Sequence, residues 1–67
     1  MNNSLEKRHL NQDEVLLIYI KNNPGLSFRQ IRFRLEMNES VLNNNLKTLI
    51  KHNLIRKSND LRYFSVA

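Results

Sequence analysis

The chain has 67 residues, with 11 Lys and Arg against 6 Asp and Glu for a formal net charge of +5, no cysteine and two histidines. At this length it is expected to hold one domain, whose folding buries only about 60% of the surface the unfolded chain exposes. Disulfides and thiolate metal sites are excluded, two histidines are too few to suggest a zinc site, and the basic balance favours polyanionic partners.

Residues 1–10 show no strong periodicity and read as a flexible or partly helical arm bearing Lys7, Arg8 and His9. They lack the apolar segment of a signal peptide. Residues 11–67 are expected to form the domain. A first helix is predicted over Gln12–Asn22, with Asn11 as cap and Glu14 in the return position of a capping box. It carries two apolar stripes. Leu16, Leu17 and Ile20 suit a core, and Val15, Ile18 and Tyr19 form a surplus face. The run Val15–Ile20 is the longest apolar stretch, far short of the roughly 20 residues that span a bilayer. No membrane partner is expected.

Asn23-Pro24-Gly25 stops the first helix. Ser27 opens a second, with Gln30 as its capping-box partner and Phe28, Ile31 and Leu35 on one face. Arg29, Arg32 and Arg34 occupy much of the rest. Glu36-Met37-Asn38 is a short turn, and Asn38 caps a third helix that runs to about His52. Val41, Leu42, Leu46, Leu49 and Ile50 form its apolar stripe, opposite Asn43, Asn44, Lys47 and Lys51. The run Asn43–Asn45 is a poor helix former, which suggests that its amides are wanted outside. Asn53 ends this helix. Leu54–Lys57 and Leu61–Val66 read as strands joined by a tight turn at Ser58-Asn59-Asp60. Phe28 and Phe64 are assigned to the core and Tyr63 to a partly exposed position. The expected class is α+β, mostly α: three helices followed by a two-stranded β-hairpin.

Three stretches carry a resemblance. They are Asn23-Pro24-Gly25-Leu26-Ser27-Phe28-Arg29-Gln30-Ile31, Leu35-Glu36-Met37-Asn38-Glu39-Ser40-Val41-Leu42, and Leu46-Lys47-Thr48-Leu49 with His52-Asn53-Leu54-Ile55-Arg56. Together they resemble the helix-turn-helix and the exit into the wing of prokaryotic, especially archaeal, transcription regulators of the broad MarR/ArsR-like superfamily. The resemblance implies a winged helix-turn-helix fold over most of the chain and a partner in double-stranded DNA. Two positions depart from the pattern: Glu36 stands where glycine is usual, and Arg32 where a small residue is common.

The resemblance places the third helix, residues 39–52, in the major groove and the wing, residues 55–65, on the backbone or in the minor groove. The expected DNA-binding residues are Arg29, Ser40, Asn43, Asn44, Lys47, Lys51, Lys57 and Arg62. Asparagine can pair bidentately with adenine, and lysine can donate to guanine or phosphate. Glu39 would repel phosphate but suits the positive end of the helix dipole. Asp60 at the wing tip argues against deep insertion into the negative minor groove.

The surplus face, Val15, Ile18 and Tyr19, is the expected interface of a homodimer, with Phe33 or the N-terminal arm contributing. The alternatives are a winged-helix module that binds another protein through the helix over residues 12–22, and a nonspecific nucleic-acid binder. Nucleophile, paired-carboxylate, glycine-rich-loop and metal-ligand patterns are all missing, so neither enzyme activity nor a cofactor is expected. The expected location is cytoplasmic and nucleoid-associated.

Overall fold

The computed structural model of the chain describes residues 11–66. The expected N-terminal arm, residues 1–10, lies outside them. Helix α1 spans Gln12–Asn22 and opens with the capping box expected from its sequence: the Glu14 amide donates to Asn11 Oδ1 at 2.9 Å and the Asn11 amide to Glu14 Oε1 at 3.1 Å. Asn23 closes it, since both its backbone amide and its Nδ2 donate to the Tyr19 carbonyl. Gly25 then takes φ 87°. A Cβ there would only touch the Phe64 ring at ordinary contact distance. The backbone conformation, rather than a lack of space, is what favours glycine.

The chain next forms a short strand, β1 (Leu26–Ser27), which leads directly into helix α2 (Phe28–Leu35). Ser27 is both the last residue of β1 and the cap of α2, accepting from the Gln30 amide at 3.2 Å while Gln30 Oε1 accepts from its own amide at 3.0 Å. Helix α3 (Glu39–Lys51) begins at Asn38, whose Oδ1 accepts from the amides of Ser40 and Val41 at 2.8 and 3.3 Å.

Helices α2 and α3 end alike. Glu36 (φ 52°) and Asn53 (φ 62°) are both left-handed. The amide after each reaches back five residues, Met37 to the Arg32 carbonyl at 3.2 Å and Leu54 to the Leu49 carbonyl at 2.9 Å. This closure satisfies carbonyls that the helix itself leaves unpaired. The turn therefore keeps its left-handed geometry although glutamate occupies the usual glycine position.

Strands β2 (Ile55–Lys57) and β3 (Arg62–Ser65) form the wing hairpin. The sheet has three strands rather than two, ordered β1-β3-β2 and antiparallel throughout, because β1 pairs Leu26 with Tyr63 and Ser27 with Arg62. The returning strand starts at Arg62, one residue later than its sequence suggests. Leu61 is left-handed (φ 63°), its amide donates to the Ser58 carbonyl at 2.9 Å, and Ser58 and Arg62 pair across the turn. This is a hydrogen-bonded turn closed by a left-handed residue, a position that usually takes glycine in hairpin loops of this length.

The core joins Leu16 and Ile20 of α1 to Ile31 of α2, Leu42, Leu46 and Leu49 of α3, and Leu26, Ile55 and Tyr63 of the sheet. Three assignments of aromatic side chains change. Tyr63 is only 5% exposed and belongs to the core, whereas Phe28 and Phe64 are half-buried. Cross-strand pairing explains the switch. Tyr63 sits opposite Leu26 on the face toward the helices, while its neighbour Phe64 pairs with Arg56 on the outer face. Phe28 packs at the margin of the core. Burial pushes the Tyr63 phenol above its ordinary value of 10.0.

Candidate nucleic-acid interface

The buried stripe of α3 recurs at Leu42, Leu46 and Leu49. At 3.6 residues per turn, the opposite side of that helix is formed by Ser40, Asn44, Lys47 and Lys51, all exposed. Asn43 is exposed on the flank nearer the wing. Asn45 differs from its neighbours: it is half-buried and its Nδ2 approaches Gln12 Oε1 of α1 at 3.4 Å. The asparagine run is therefore divided, with two amides outside and the third tied to α1.

One open cleft of about 600 Å³ brings the start of α2, the start of α3 and the wing together. Helix α2 and its cap contribute Ser27, Phe28 and Arg29; α3 contributes Glu39, Ser40 and Asn43; the wing contributes Lys57, Leu61 and Tyr63. Of the expected DNA-binding residues, Arg29, Ser40, Asn43 and Lys57 thus converge on one concavity. Asn44, Lys47 and Lys51 stand on the convex face of α3 beside it. Glu39 also lines the cleft, in the first turn of α3 where the helix dipole favours a carboxylate.

The wing cations have different roles. Lys57 reaches over the Tyr63 ring, its Nζ 5.8 Å from the centroid, on the helix-facing side of the sheet. Arg56 covers the Phe64 ring at 4.8 Å on the outer side. Arg62 is exposed, yet it donates from Nη1 to the Gly25 carbonyl at 2.9 Å, and its Nε lies 3.5 Å from Asp60 Oδ2. Its guanidinium links the wing to the turn after α1. The Ser58 hydroxyl bonds the Asp60 carboxylate and holds it below its ordinary value of 3.8, with the charge of Arg62 adding to the effect.

Leu61 has no counterpart among the expected site residues. It is 62% exposed at the wing tip and lines the cleft with Ser40 and Asn43. The available signal was a bulky residue just after Ser58-Asn59-Asp60, where a turn of this length usually takes glycine. On α1, Val15 and Ile18 are 43% and 47% exposed, and Tyr19 is half-buried against the core. Among the described residues there is no group of His, Cys, Asp or Glu side chains able to hold a metal ion. No helix among them is long and apolar enough to cross a membrane.

Three helices closed by a small antiparallel sheet, with a polar and basic helix face beside a basic wing, define a winged helix-turn-helix domain. A model of the MarR family matches residues 15–61, from within α1 to the wing tip, and the chain belongs to this family of DNA-binding transcription regulators. Comparison with curated proteins and with solved structures finds no match. Regulators of the MarR family bind DNA and typically form dimers.

Proposed function

We propose that this domain recognises a specific sequence in double-stranded DNA, with α3 in the major groove and the wing against the adjacent backbone or minor groove. The observation that carries this reading is the shared cleft, in which Arg29, Ser40, Asn43 and Lys57 converge from three separate elements. In this reading Asn43 and Asn44 address base edges, and Ser40 contacts a base or a phosphate. Lys47, Lys51, Arg29 and Lys57 neutralise phosphates, which sets orientation and most of the nonspecific affinity. Arg62 acts first on the shape of the wing and reaches DNA only by giving up its bond to Gly25. Leu61 adds an apolar contact at the wing tip. The domain works at the nucleoid without a cofactor.

A second copy completes the regulator. Val15 and Ile18 are apolar and exposed on α1, Ile18 on the side opposite buried Leu16 and Ile20 and Val15 on the flank beside Leu16. A twofold dimer through this face would present two α3 helices to half-sites about 34 Å apart. Selection of bound duplexes from a random pool tests the reading. A shared motif with twofold symmetry is expected, bound with an affinity that falls steeply with salt. Recovery of unrelated sequences would overturn sequence recognition. Sedimentation that reports a monomer at high micromolar concentration would overturn the dimer and leave the α1 face to a different protein.

A further inference from the structure

The outer face of α2 serves neither the core nor, apart from Arg29 at its edge, the cleft. Phe33 lies on it at 82% exposure, the highest of any large apolar side chain among the described residues. Arg29, Gln30 and Arg34 surround it and form a second, shallow concavity of about 410 Å³. The sequence of α2, Phe28 to Leu35, contains no acidic residue. Among the described residues, neither the Arg29 nor the Arg34 side chain has a hydrogen bond or ion pair. The patch is thus an apolar floor with a cationic rim whose charges have no partner among those residues.

That combination narrows the occupant. A duplex presents phosphates to such a surface, and covers a phenyl ring only where the ring itself enters a groove or wedges between base pairs, a place that the reading above gives to α3 and the wing. A single strand could stack one base on it, but sequence-tolerant strand binding relies on several stacking rings along a basic groove. Among the described residues, Phe33 is the one exposed ring on this face. Burying a phenylalanine side chain stabilises a complex only when an apolar group meets it. The rim calls for carboxylates on either side of that group.

We propose that the Phe33 face of α2 docks an acidic protein segment carrying an apolar side chain, which packs on the ring while its carboxylates engage Arg34, and Arg29 as well when no phosphate holds it. Arg29 borders both concavities, so such a partner would lie directly beside bound DNA. This surface is separate from α1 and does not depend on the reading of α3 as the DNA-contacting helix.

The test uses the full chain labelled with ¹⁵N, titrated with a synthetic peptide of about a dozen residues in which two leucines are set among aspartates and glutamates. The amide resonances of Gln30, Phe33 and Arg34 are expected to shift. Phe33→Ala and, separately, Arg34→Glu should each weaken peptide binding about tenfold, the size of a modest hot spot. Both variants should keep the fold, since both side chains face solvent, and the spectrum of each reports this directly. A peptide with serines in place of the leucines should bind distinctly more weakly.

Four results would overturn the proposal. One is a peptide that binds elsewhere, or not at all up to millimolar concentration. Another is displacement of the peptide from these resonances by oligothymidine. A third is a loss of duplex binding in Phe33→Ala as large as that in Asn43→Ala, which would assign the patch to nucleic acid. The last is a lower sedimenting mass for Phe33→Ala, which would assign it to a second copy.

Discussion

Leu61 of the wing and Asn43 of α3 line the same cleft, although they stand 18 positions apart in the sequence. Leu61 holds that place in a left-handed backbone conformation with φ 63° and remains 62% exposed. A non-glycine residue pays about 1–2 kcal/mol for this conformation, and an exposed leucine recovers little of that by burial. Folding alone therefore gives no reason for a leucine here.

Replacing it should separate stability from binding. Leu61→Asn is expected to stabilise the fold by about 0.5–1 kcal/mol, because asparagine tolerates the left-handed region better, while duplex affinity falls. Urea midpoints and fluorescence anisotropy on a selected duplex measure the two effects. A loss of stability would mean that the leucine is supported by packing inside the domain, and its assignment to the interface would then fail.

Glu36 provides the comparison. It occupies the left-handed end of α2 at φ 52°, far along the chain from the wing, and is exposed. Glu36→Gly should raise stability by about 1 kcal/mol, the relief of the Cβ penalty less the greater freedom of glycine in the unfolded chain. Its effect on DNA discrimination should be negligible. An unchanged or lower urea midpoint would show that the glutamate is held by more than its backbone.

The asparagines and the lysines on the exposed surface of α3 should respond differently to substitution. Asn43→Ala and Asn44→Ala are expected to cost about 1–3 kcal/mol of discrimination between a selected duplex and a scrambled one. Lys47→Ala should weaken both duplexes alike and reduce the log–log salt slope by about 0.9. Anisotropy titrations at several salt concentrations distinguish the cases. If the asparagine variants bind both duplexes unchanged, α3 is not the reading element.

Tyr63 predicts an alkaline limb in the stability profile. Burial raises its phenol above 10.0 in the folded chain, so the neutral form is the one the fold favours. This contribution is complete below the unfolded value and is lost as pH rises through the higher folded value. Denaturation midpoints should therefore decline above pH 10, and Tyr63→Phe should flatten that decline. An ultraviolet titration in which no tyrosine ionises later than an unfolded one would contradict the burial argument.

The α1 face supplies the last prediction. Ile18→Glu places a charge opposite the buried Leu16 and Ile20, so it should leave the monomer folded while disrupting a dimer through that face. A single hydrodynamic species of half the wild-type mass, with weaker binding to a two-half-site duplex, is expected. An unchanged mass in both proteins would direct attention to another surface.

Local chemistry made much of this molecule legible in its sequence. The capping pairs Asn11 with Glu14 and Ser27 with Gln30 span three residues each, and the stripe Leu42, Leu46 and Leu49 needs only the helical repeat. Such features depend on near neighbours, so the order of the three helices and the wing, the fold class and the polar face of α3 could all be read directly. Contacts across the chain decided the rest. Strand β1 exists only because β3 returns to pair with Leu26 and Ser27, and that pairing turns Tyr63 inward and Phe64 outward. The same return brings Arg62 to the Gly25 carbonyl, 37 residues away, and engages a cation that its sequence context left free for DNA. A two-residue strand has too little local preference to announce itself, and two adjacent aromatics satisfy either face of a strand. Only the register imposed by the assembled sheet separates the core residue from the surface one.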